Sequence, residues 1–246
     1  MSGDLEFGHA LADIADAITG ARFRATDLRV ETKPDLTPVS EADRAAEEAI
    51  RAHVAASGRG EGVFGEEYGD DGGDSKWIVD PIDGTKSYVR GTPVWATLLA
   101  LEREGEVVLG VVSAPSLHRR WWAVRGGGAF SNGERCRVSS VASVDDAAVS
   151  TTSSRRMPPG WTEVVQRSWT NRGLGDFWQH CLVAEGALDV GCDSVVQLWD
   201  YAPVQILVEE AGGRCTTYAG APPSPGSSFV STNAAVHEQV VSLLGA

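Results

Sequence analysis

The segment Trp77–Lys86, which reads WIVDPIDGTK, constrains the fold of this chain more than any other feature. An apolar strand ends in Asp80, the chain turns at a proline, and a second acid, Asp83, follows three positions later. Two carboxylates across such a turn can converge on one hard cation, and the stiffened turn can add the carbonyl oxygen of Ile82 as a further ligand.

The end of the same segment is suited to an anion. Gly84 leaves room for a phosphate to approach the backbone, and a helix that begins near Thr85 would direct its free N–H groups at that phosphate. An ordinary Asx turn with two solvated acids is the alternative interpretation of this motif taken alone.

Three further acids, Glu66, Asp43 and Asp200, either belong to this site or have ordinary structural roles. Glu66 follows a predicted strand and can reach the same strand-end cleft, or it forms a surface acid pair. Asp200 opens a predicted helix, where an aspartate commonly serves as an N-cap. Ser40 and Asp43 have the spacing of a capping box for a helix that runs to about Ala56.

Four of these acids could be gathered in one cleft: Glu66, Asp80, Asp83 and Asp200. Without a cation they would repel one another strongly. Oxygen ligands with no nearby histidine or cysteine indicate Mg²⁺, or Mn²⁺ as a substitute. Two or more such ions bridged by carboxylates hydrolyse phosphate esters. That chemistry needs neither His118 nor His180, and we interpret both as surface or packing residues.

The order of the predicted elements favours an α/β (α+β) fold. Five strands are predicted in the first half, at 62–65, 77–80, 94–101, 107–114 and 121–124, and short links join the last three. Such links favour an antiparallel meander. From residue 147 onward strands alternate with helices, which favours a more parallel sheet covered on both faces. We therefore predict two joined subdomains, 1–143 with most of the metal ligands and 144–246 completing the metal and substrate site.

Composition excludes several classes of protein. The 246 residues include 34 acidic and 21 basic side chains, a net charge of −13, which disfavours nucleic acid or an anionic membrane as the main partner. The N-terminal segment carries acids where a signal peptide carries bases. Four cysteines without CxxC spacing are typical of reduced thiols. We expect a soluble cytoplasmic enzyme.

The chain resembles the inositol monophosphatase family of metal-dependent phosphatases over nearly its whole length. The motifs that carry the resemblance are Gly65–Glu67, Asp80–Thr85, Trp199–Asp200, Glu210–Gly213, Gly126–Phe130 and Ser231–Asn233. The resemblance implies a layered α/β/α/β/α sandwich, two or three Mg²⁺ ions and a homodimer.

The resemblance also implies a role for each matching residue. The metal ligands would be Glu66, Asp80, the Ile82 carbonyl, Asp83 and Asp200. Thr85 would position the attacking water with Asp43 as its partner, and Glu66 would share in catalysis. Backbone N–H groups of Gly84 and Thr85 would bind the phosphate.

The substrate is suggested by a narrower resemblance. Four segments are similar to bacterial histidinol-phosphate phosphatases of this superfamily: Lys86–Thr97, Ser113–Trp122, Gly175–Trp178 and Leu182–Ala187. This implies a phosphoric monoester hydrolase that acts on L-histidinol phosphate in histidine biosynthesis. Inositol 1-phosphate or another sugar phosphate is the alternative substrate, and a non-catalytic metal-binding protein is a third hypothesis.

Histidinol carries an ammonium and an imidazole, so its pocket should offer carboxylates and an aromatic wall. The candidates are Asp193, Asp176, Trp178 and Trp95. Asp193 occupies the position at which inositol-specific relatives have an acid that contacts the sugar hydroxyls. A helix cap is the alternative role for Asp176, and core packing is the alternative for each tryptophan.

Overall fold

A computed structural model describes residues 2–34 and 37–245. Its α-helices are α1 (Ser2–Arg22), α2 (Glu41–Ala56), α3 (Thr85–Val89), α4 (Gly160–Arg167), α5 (Asp176–Ala184), α6 (Leu198–Glu210) and α7 (His237–Leu244). Its β-strands are β1 (Val30–Thr32), β2 (Pro38–Ser40), β3 (Gly62–Gly65), β4 (Gly69–Asp70), β5 (Ser75–Asp83), β6 (Ala96–Arg103), β7 (Glu106–Ala114), β8 (Arg119–Val124), β9 (Gly128–Ser131), β10 (Glu134–Arg135), β11 (Ala148–Thr151), β12 (Thr170–Arg172), β13 (Val190–Asp193), β14 (Arg214–Thr216) and β15 (Phe229–Thr232).

The larger sheet has the strand order β10-β9-β8-β7-β6-β5-β3-β4. Each strand from β5 to β10 pairs antiparallel with the next along the chain, which confirms the predicted meander. β3 joins the other side of β5 in parallel. The long middle strands are buried on both faces because helices cover the sheet from two sides.

A second sheet of five strands, called here the smaller sheet, has the order β12-β11-β13-β15-β14 and is mixed, and β1 and β2 pair separately as a two-stranded sheet. β11 runs parallel to β12 and β13, as the alternation of strands and helices predicts. The prediction is wrong for the other half of the sheet, where β15 pairs antiparallel with both β13 and β14. A loop, rather than a helix, joins β14 to β15, and this link lets the chain return antiparallel.

The elements stack in five layers. α1 and α2 cover one face of the larger sheet, α5 and α6 lie between the two sheets, and α4 and α7 cover the outer face of the smaller sheet. The predicted α/β/α/β/α sandwich is confirmed. Among the described residues, no helix is both long and apolar enough to cross a bilayer.

The predicted boundary at residues 143 and 144 falls between the last strand of the larger sheet and the first of the smaller one. A single apolar core nevertheless joins both parts, since Leu98, Phe177 and Phe229 all belong to it. The division into two subdomains therefore stays a prediction, and the site described next lies between the two sheets.

Candidate active site

Asp80, Asp83 and Asp200 meet at the point where β5 ends and α6 begins. One carboxylate oxygen from each lies within 4.8 Å of the others. Asp80 and Asp83 flank the proline turn, and Asp200 lies in the first turn of α6. The structure thus brings together three of the four acids that the sequence predicts would converge.

A bulge at the end of β5 orients two of these acids. Asp80 pairs with Leu98 and Asp83 pairs with Ala96, so three steps on β5 oppose two on β6. Side chains three apart on a regular strand point to opposite faces, and the extra residue of a bulge turns both toward one side. The N–H of Ile82 donates to Asp80 Oδ1 at 2.9 Å and fixes the turn.

The cluster consists of acids alone, so none of its own side chains balances their negative charge. Burial raises the pKa of Asp80, and the neighbouring charges of Glu66, Asp83 and Asp200 raise it further. Burial likewise raises the pKa of Asp83, and it raises that of Asp200 to about 7. An all-oxygen, anionic donor set of this kind fits a hard divalent cation such as Mg²⁺ or Mn²⁺.

Glu66, the fourth predicted acid, lies beside the cluster and bonds elsewhere. Its charge raises the pKa of Asp80 and of Asp200, so it is close to both. Its Oε1 accepts a hydrogen bond from Lys33 Nζ at 2.7 Å, and the same ammonium binds Glu67 Oε1 at 2.6 Å. The Lys33 side chain therefore supplies a positive charge at the edge of the acidic cluster.

The predicted phosphate loop has the backbone conformation that a glycine allows. Gly84 has φ of 79°, and a Cβ there would lie 3.1 Å from the Val94 carbonyl oxygen and 3.3 Å from an Asp176 carboxylate oxygen. α3 begins at Thr85, as predicted. Thr85 Oγ1 donates to the Ile82 carbonyl oxygen at 3.0 Å.

Asp43 is engaged differently from the role that the resemblance implies. Its Oδ2 accepts from Ser40 N at 2.9 Å and from Ser40 Oγ at 2.5 Å, which confirms the predicted capping box. Within the described part of the chain no hydrogen bond joins Asp43 to Thr85, so the expected pairing is not seen. Burial raises the pKa of Asp43 to about 7, and the charges of Glu67 and Glu66 add to this rise.

A pocket of about 130 Å³ adjoins the acidic cluster. Its described lining is Asp83, Thr152, Asp176, Phe177, His180, Asp193, Val195, Val196, Asp200 and Phe229. Both predicted substrate acids, Asp176 and Asp193, are therefore at this pocket. Burial raises the pKa of Asp176 to about 6, and the nearby charge of Asp193 contributes.

α5 fixes the edge that the pocket shares with the cluster. Asp176, the first residue of α5, has φ of 47°, a left-handed conformation that aspartate tolerates better than most side chains. Its N–H donates to Thr152 Oγ1 at 2.7 Å, and the next N–H, of Phe177, donates to Asp83 Oδ2 at 2.7 Å. The start of this helix thus connects the pocket to the predicted metal ligands.

The aromatic predictions need correction. Trp95 is fully buried and packs against Phe23 and Tyr88, behind the phosphate loop, so its indole does not reach the pocket. Trp178 is half-buried against the central core. Phe177 and Phe229 line the pocket in their place, because α5 turns the residue next to Trp178 toward the cluster.

His180 packs in the interior, which is one of the two roles predicted for it, but it also has polar contacts that the sequence does not predict. It is buried in the pocket wall, packs against Phe229 and bonds to Asp193 and Ser231. These partners lie 13 and 51 positions away along the chain. No local pattern in the sequence could have indicated this contact.

Glu47 is a second residue that the sequence analysis overlooked. It is fully buried on α2, and its carboxylate accepts the N–H groups of Glu67 at 2.8 Å and Tyr68 at 3.2 Å. Arg51 Nε donates to it at 2.9 Å. Glu47 shares the apolar face of α2 with Ile50, and an acid on such a face was the signal that could have revealed its role.

Fold and site together define a layered α/β protein with a candidate divalent-metal centre beside a small anionic pocket. The chain belongs to the inositol monophosphatase family, whose profile matches residues 4–245. This is a divalent-metal-dependent family, in keeping with the acidic cluster.

Individual relatives match over almost the whole chain. A histidinol-phosphatase of Mycobacterium tuberculosis is 48% identical, covering 99% of this chain and 98% of its own. A histidinol-phosphatase of Streptomyces coelicolor is 45% identical, covering 98% and 96%. Among solved structures, an IMPase of Thermotoga maritima superposes with a TM-score of 0.92 at 32% identity, covering 99% of this chain and 97% of its own.

Proposed function

We propose that this protein is a Mg²⁺-dependent phosphoric monoester hydrolase that converts L-histidinol phosphate into L-histidinol and phosphate. The observation that carries the proposal is the convergence of Asp80, Asp83 and Asp200 within 4.8 Å beside a pocket that holds two more acids. The histidinol-phosphatase names of relatives 45% and 48% identical over nearly the full length support this substrate.

We propose that two or three Mg²⁺ ions are held by Asp80, Asp83, Asp200 and the Ile82 carbonyl, with Glu66 completing the set once its carboxylate leaves Lys33. Mn²⁺ could take their place. Bound there, such ions would polarise the phosphoryl oxygens and lower the pKa of the attacking water. The raised pKa values of the three aspartates support a site that needs added positive charge.

The side chains of the phosphate loop would orient the reactants. Because the Thr85 hydroxyl donates to the Ile82 carbonyl, its oxygen is left to accept a proton from a water, which would direct that water at phosphorus. The backbone N–H groups of Gly84 and Thr85 would bind the phosphate oxygens. Asp43 would become the partner of Thr85 once its carboxylate is released from Ser40.

The pocket next to the cluster would bind the alcohol part of the ester. Divalent cations would neutralise Asp83 and Asp200, whereas Asp176 and Asp193 would keep their charges for the substrate. An ammonium and an imidazole fit that environment better than neutral hydroxyls do, since two carboxylates and the aromatic side chains of Phe177 and Phe229 line it. Inositol 1-phosphate or another sugar phosphate is the alternative substrate, and a relative of Thermotoga maritima named fructose-1,6-bisphosphatase/inositol-1-monophosphatase, 36% identical over 84% of this chain, keeps it open.

We also propose that the protein is a homodimer in the cytoplasm. Its four cysteines are all buried free thiols, which supports a reducing compartment. Trp169 is 75% exposed beside the edge strand β12, an apolar area that a second copy could cover. Light scattering should give twice the 26.0 kDa of one chain, and a single-chain mass would contradict the dimer.

Phosphate release from a panel of phosphomonoesters tests the substrate. With saturating Mg²⁺, kcat/KM for L-histidinol phosphate should exceed that for inositol 1-phosphate by at least about 100-fold, the scale of one well-placed charged contact plus shape. A chelator should abolish the activity reversibly. Equal or reversed specificity would contradict histidinol phosphate as the substrate. No turnover of any ester would contradict the proposal that the protein is a phosphatase.

A further inference from the structure

A hydrogen-bonded chain of three side chains, Ser231, His180 and Asp193, ends in the wall of the pocket, which His180 and Asp193 line. His180 Nε2 lies 2.8 Å from Asp193 Oδ2, and His180 Nδ1 lies 2.7 Å from Ser231 Oγ. His180 is 2% exposed and Ser231 is fully buried, while the Asp193 side chain is 13% exposed. The chain therefore runs from the protein interior to a carboxylate that reaches the pocket.

The smaller sheet places these groups in register. On β13, Gly191 and Asp193 lie two residues apart and so face the same side, toward α5. Ser231 on β15 is the direct cross-strand partner of Gly191. His180 extends from α5 over this pair, and the edge of its ring packs against Phe229 with the ring centroids 4.9 Å apart.

Gly191 provides the space in which the histidine and the serine meet. A Cβ at this position would lie 3.0 Å from His180 Nδ1 and 3.0 Å from Ser231 Oγ. Any larger residue would force the two groups apart. A strand interior is an unfavourable place for glycine, so its presence under the ring indicates a close approach that the fold requires.

The two donors on Asp193 leave one of its oxygens available. Gln179 Nε2 donates to Asp193 Oδ2 at 2.9 Å, the same oxygen that faces His180. Among the hydrogen bonds of the described residues, none reaches Asp193 Oδ1. A carboxylate held through Oδ2 by two buried donors has a fixed orientation, and its second oxygen can accept from a ligand in the pocket.

We propose that Ser231 and His180 form a positioning relay that fixes Asp193 to receive the cationic group of the substrate, so that His180 determines specificity for a positively charged phosphate ester. A serine hydroxyl that donates to Nδ1 fixes the tautomer with its proton on Nε2, and this proton is donated to Asp193. His180 acts on the substrate only through Asp193. The inference rests on the proposed substrate class.

Kinetics of three variants test the relay: His180→Phe, His180→Gln and Ser231→Ala. Each is assayed with Mg²⁺ on L-histidinol phosphate and on the neutral ester glycerol 2-phosphate. His180→Phe, which keeps a ring but no donor, should raise KM for histidinol phosphate by at least about tenfold with kcat nearly unchanged. It should change kcat/KM for glycerol 2-phosphate by less than about threefold.

The conservative variants separate positioning from folding. His180→Gln restores a donor for Asp193 and should bring KM most of the way back to the wild-type value. Ser231→Ala should raise KM by less than His180→Phe does. Exposed His118, changed to glutamine, is the matched control and should behave as the wild type. If His180→Phe fails to fold, Ser231→Ala carries the comparison, because it too should raise KM for histidinol phosphate and leave glycerol 2-phosphate hydrolysis nearly unchanged.

The outcomes distinguish the two proposals. Unchanged KM for histidinol phosphate in His180→Phe and Ser231→Ala, or equal losses on both esters without rescue by glutamine, overturns the relay while the proposed function stands. A wild-type enzyme that hydrolyses glycerol 2-phosphate but not histidinol phosphate overturns both.

Discussion

Asp83 belongs both to the acidic cluster and to the lining of the pocket. It lies within the cluster of three acids, and its Oδ2 accepts the N–H of Phe177 at 2.7 Å. Burial raises its pKa, and the charges of Asp176 and Asp200 raise it further. Losing this one negative charge should therefore weaken metal binding while leaving the hydrogen bond to α5 intact.

The variant Asp83→Asn separates the metal-binding role of Asp83 from its hydrogen bond to α5. An asparagine oxygen can still accept from Phe177, but the charge for the cation is gone. We expect phosphate release at modest Mg²⁺ to fall by more than about 100-fold, the upper scale for groups that only support a ligand. The melting temperature in chelator should stay the same or rise, because one of several like charges is removed. Near-normal turnover would show that Asp83 is not a metal ligand.

Asp193 provides a second test through a single side chain. Asp193→Asn keeps the shape but removes the charge proposed to face the substrate amine. We expect kcat/KM for histidinol phosphate to fall by on the order of tenfold or more, and that for inositol 1-phosphate by less than about threefold. Exposed Asp145, changed to asparagine, serves as control. Equal losses on the two esters would argue against a charge-based selection of substrate.

Among the elements, α2 holds the turn that carries Glu66. Glu47 accepts two backbone N–H groups of that turn and pairs with Arg51, whose Nη2 also donates to the carbonyl oxygen of Gly69 at 2.5 Å. A Cβ at Gly65 would overlap the Glu47 carboxylate, so the strand end and the helix are fitted to each other.

Removing Glu47 should loosen this turn. In Glu47→Ala the two N–H groups and Arg51 lose their buried partner, and we expect a loss of about 3 kcal/mol in the free energy of unfolding. The apparent Mg²⁺ requirement should rise as well, since Glu66 is no longer held near the cluster. Glu163→Ala, at an exposed position of α4, is the control. Urea unfolding and Mg²⁺ titration of activity measure the two effects, and an unchanged Mg²⁺ requirement would contradict the link to Glu66.

Short sequence motifs predicted the turn and the helix ends that position the candidate site. The turn between Asp80 and Asp83, the capping box at Ser40 and the start of α3 at Thr85 all depend on residues within a few positions of one another, and all three are seen. The short strands β1, β12 and β13 have no strong pattern of their own, because tertiary pairing rather than propensity stabilises them.

Long-range contacts were where sequence reasoning failed. His180 on α5 owes its role to Asp193 and Ser231, which come from two strands far away in the sequence. Trp95 was assigned to the pocket although its ring lies in an aromatic cluster with Phe23 and Tyr88. A sequence indicates that a tryptophan will pack, but only the fold decides which space it fills.

For the whole molecule, the buried acids couple stability to pH and to metal. Burial raises the pKa of Asp43 and Asp200 to about 7 and that of Asp176 to about 6. In the unfolded chain such acids titrate near about 4. Between about pH 4 and 7 the unfolded chain binds fewer of these protons than the folded protein, so the free energy of unfolding falls as pH rises.

We therefore expect the metal-free protein to melt at a lower temperature at pH 8 than at pH 5. Mg²⁺ should raise the melting temperature more at pH 8, because the carboxylates that bind it are then ionised in both states. Differential scanning calorimetry measures how the melting temperature changes with pH, once in chelator and once in Mg²⁺. The variant Asp200→Asn should show a weaker pH dependence in chelator, and a melting temperature that rises with pH in the wild type would contradict the account.

The proposed activity depends on a cation bound jointly by acids from β5 and α6. Crystals grown with Mn²⁺, measured for anomalous scattering, test this most directly. We predict a peak within roughly 2 Å of carboxylate oxygens of Asp80, Asp83 and Asp200 together. An active, Mn²⁺-supported enzyme whose anomalous peaks all lie away from these three aspartates would contradict it.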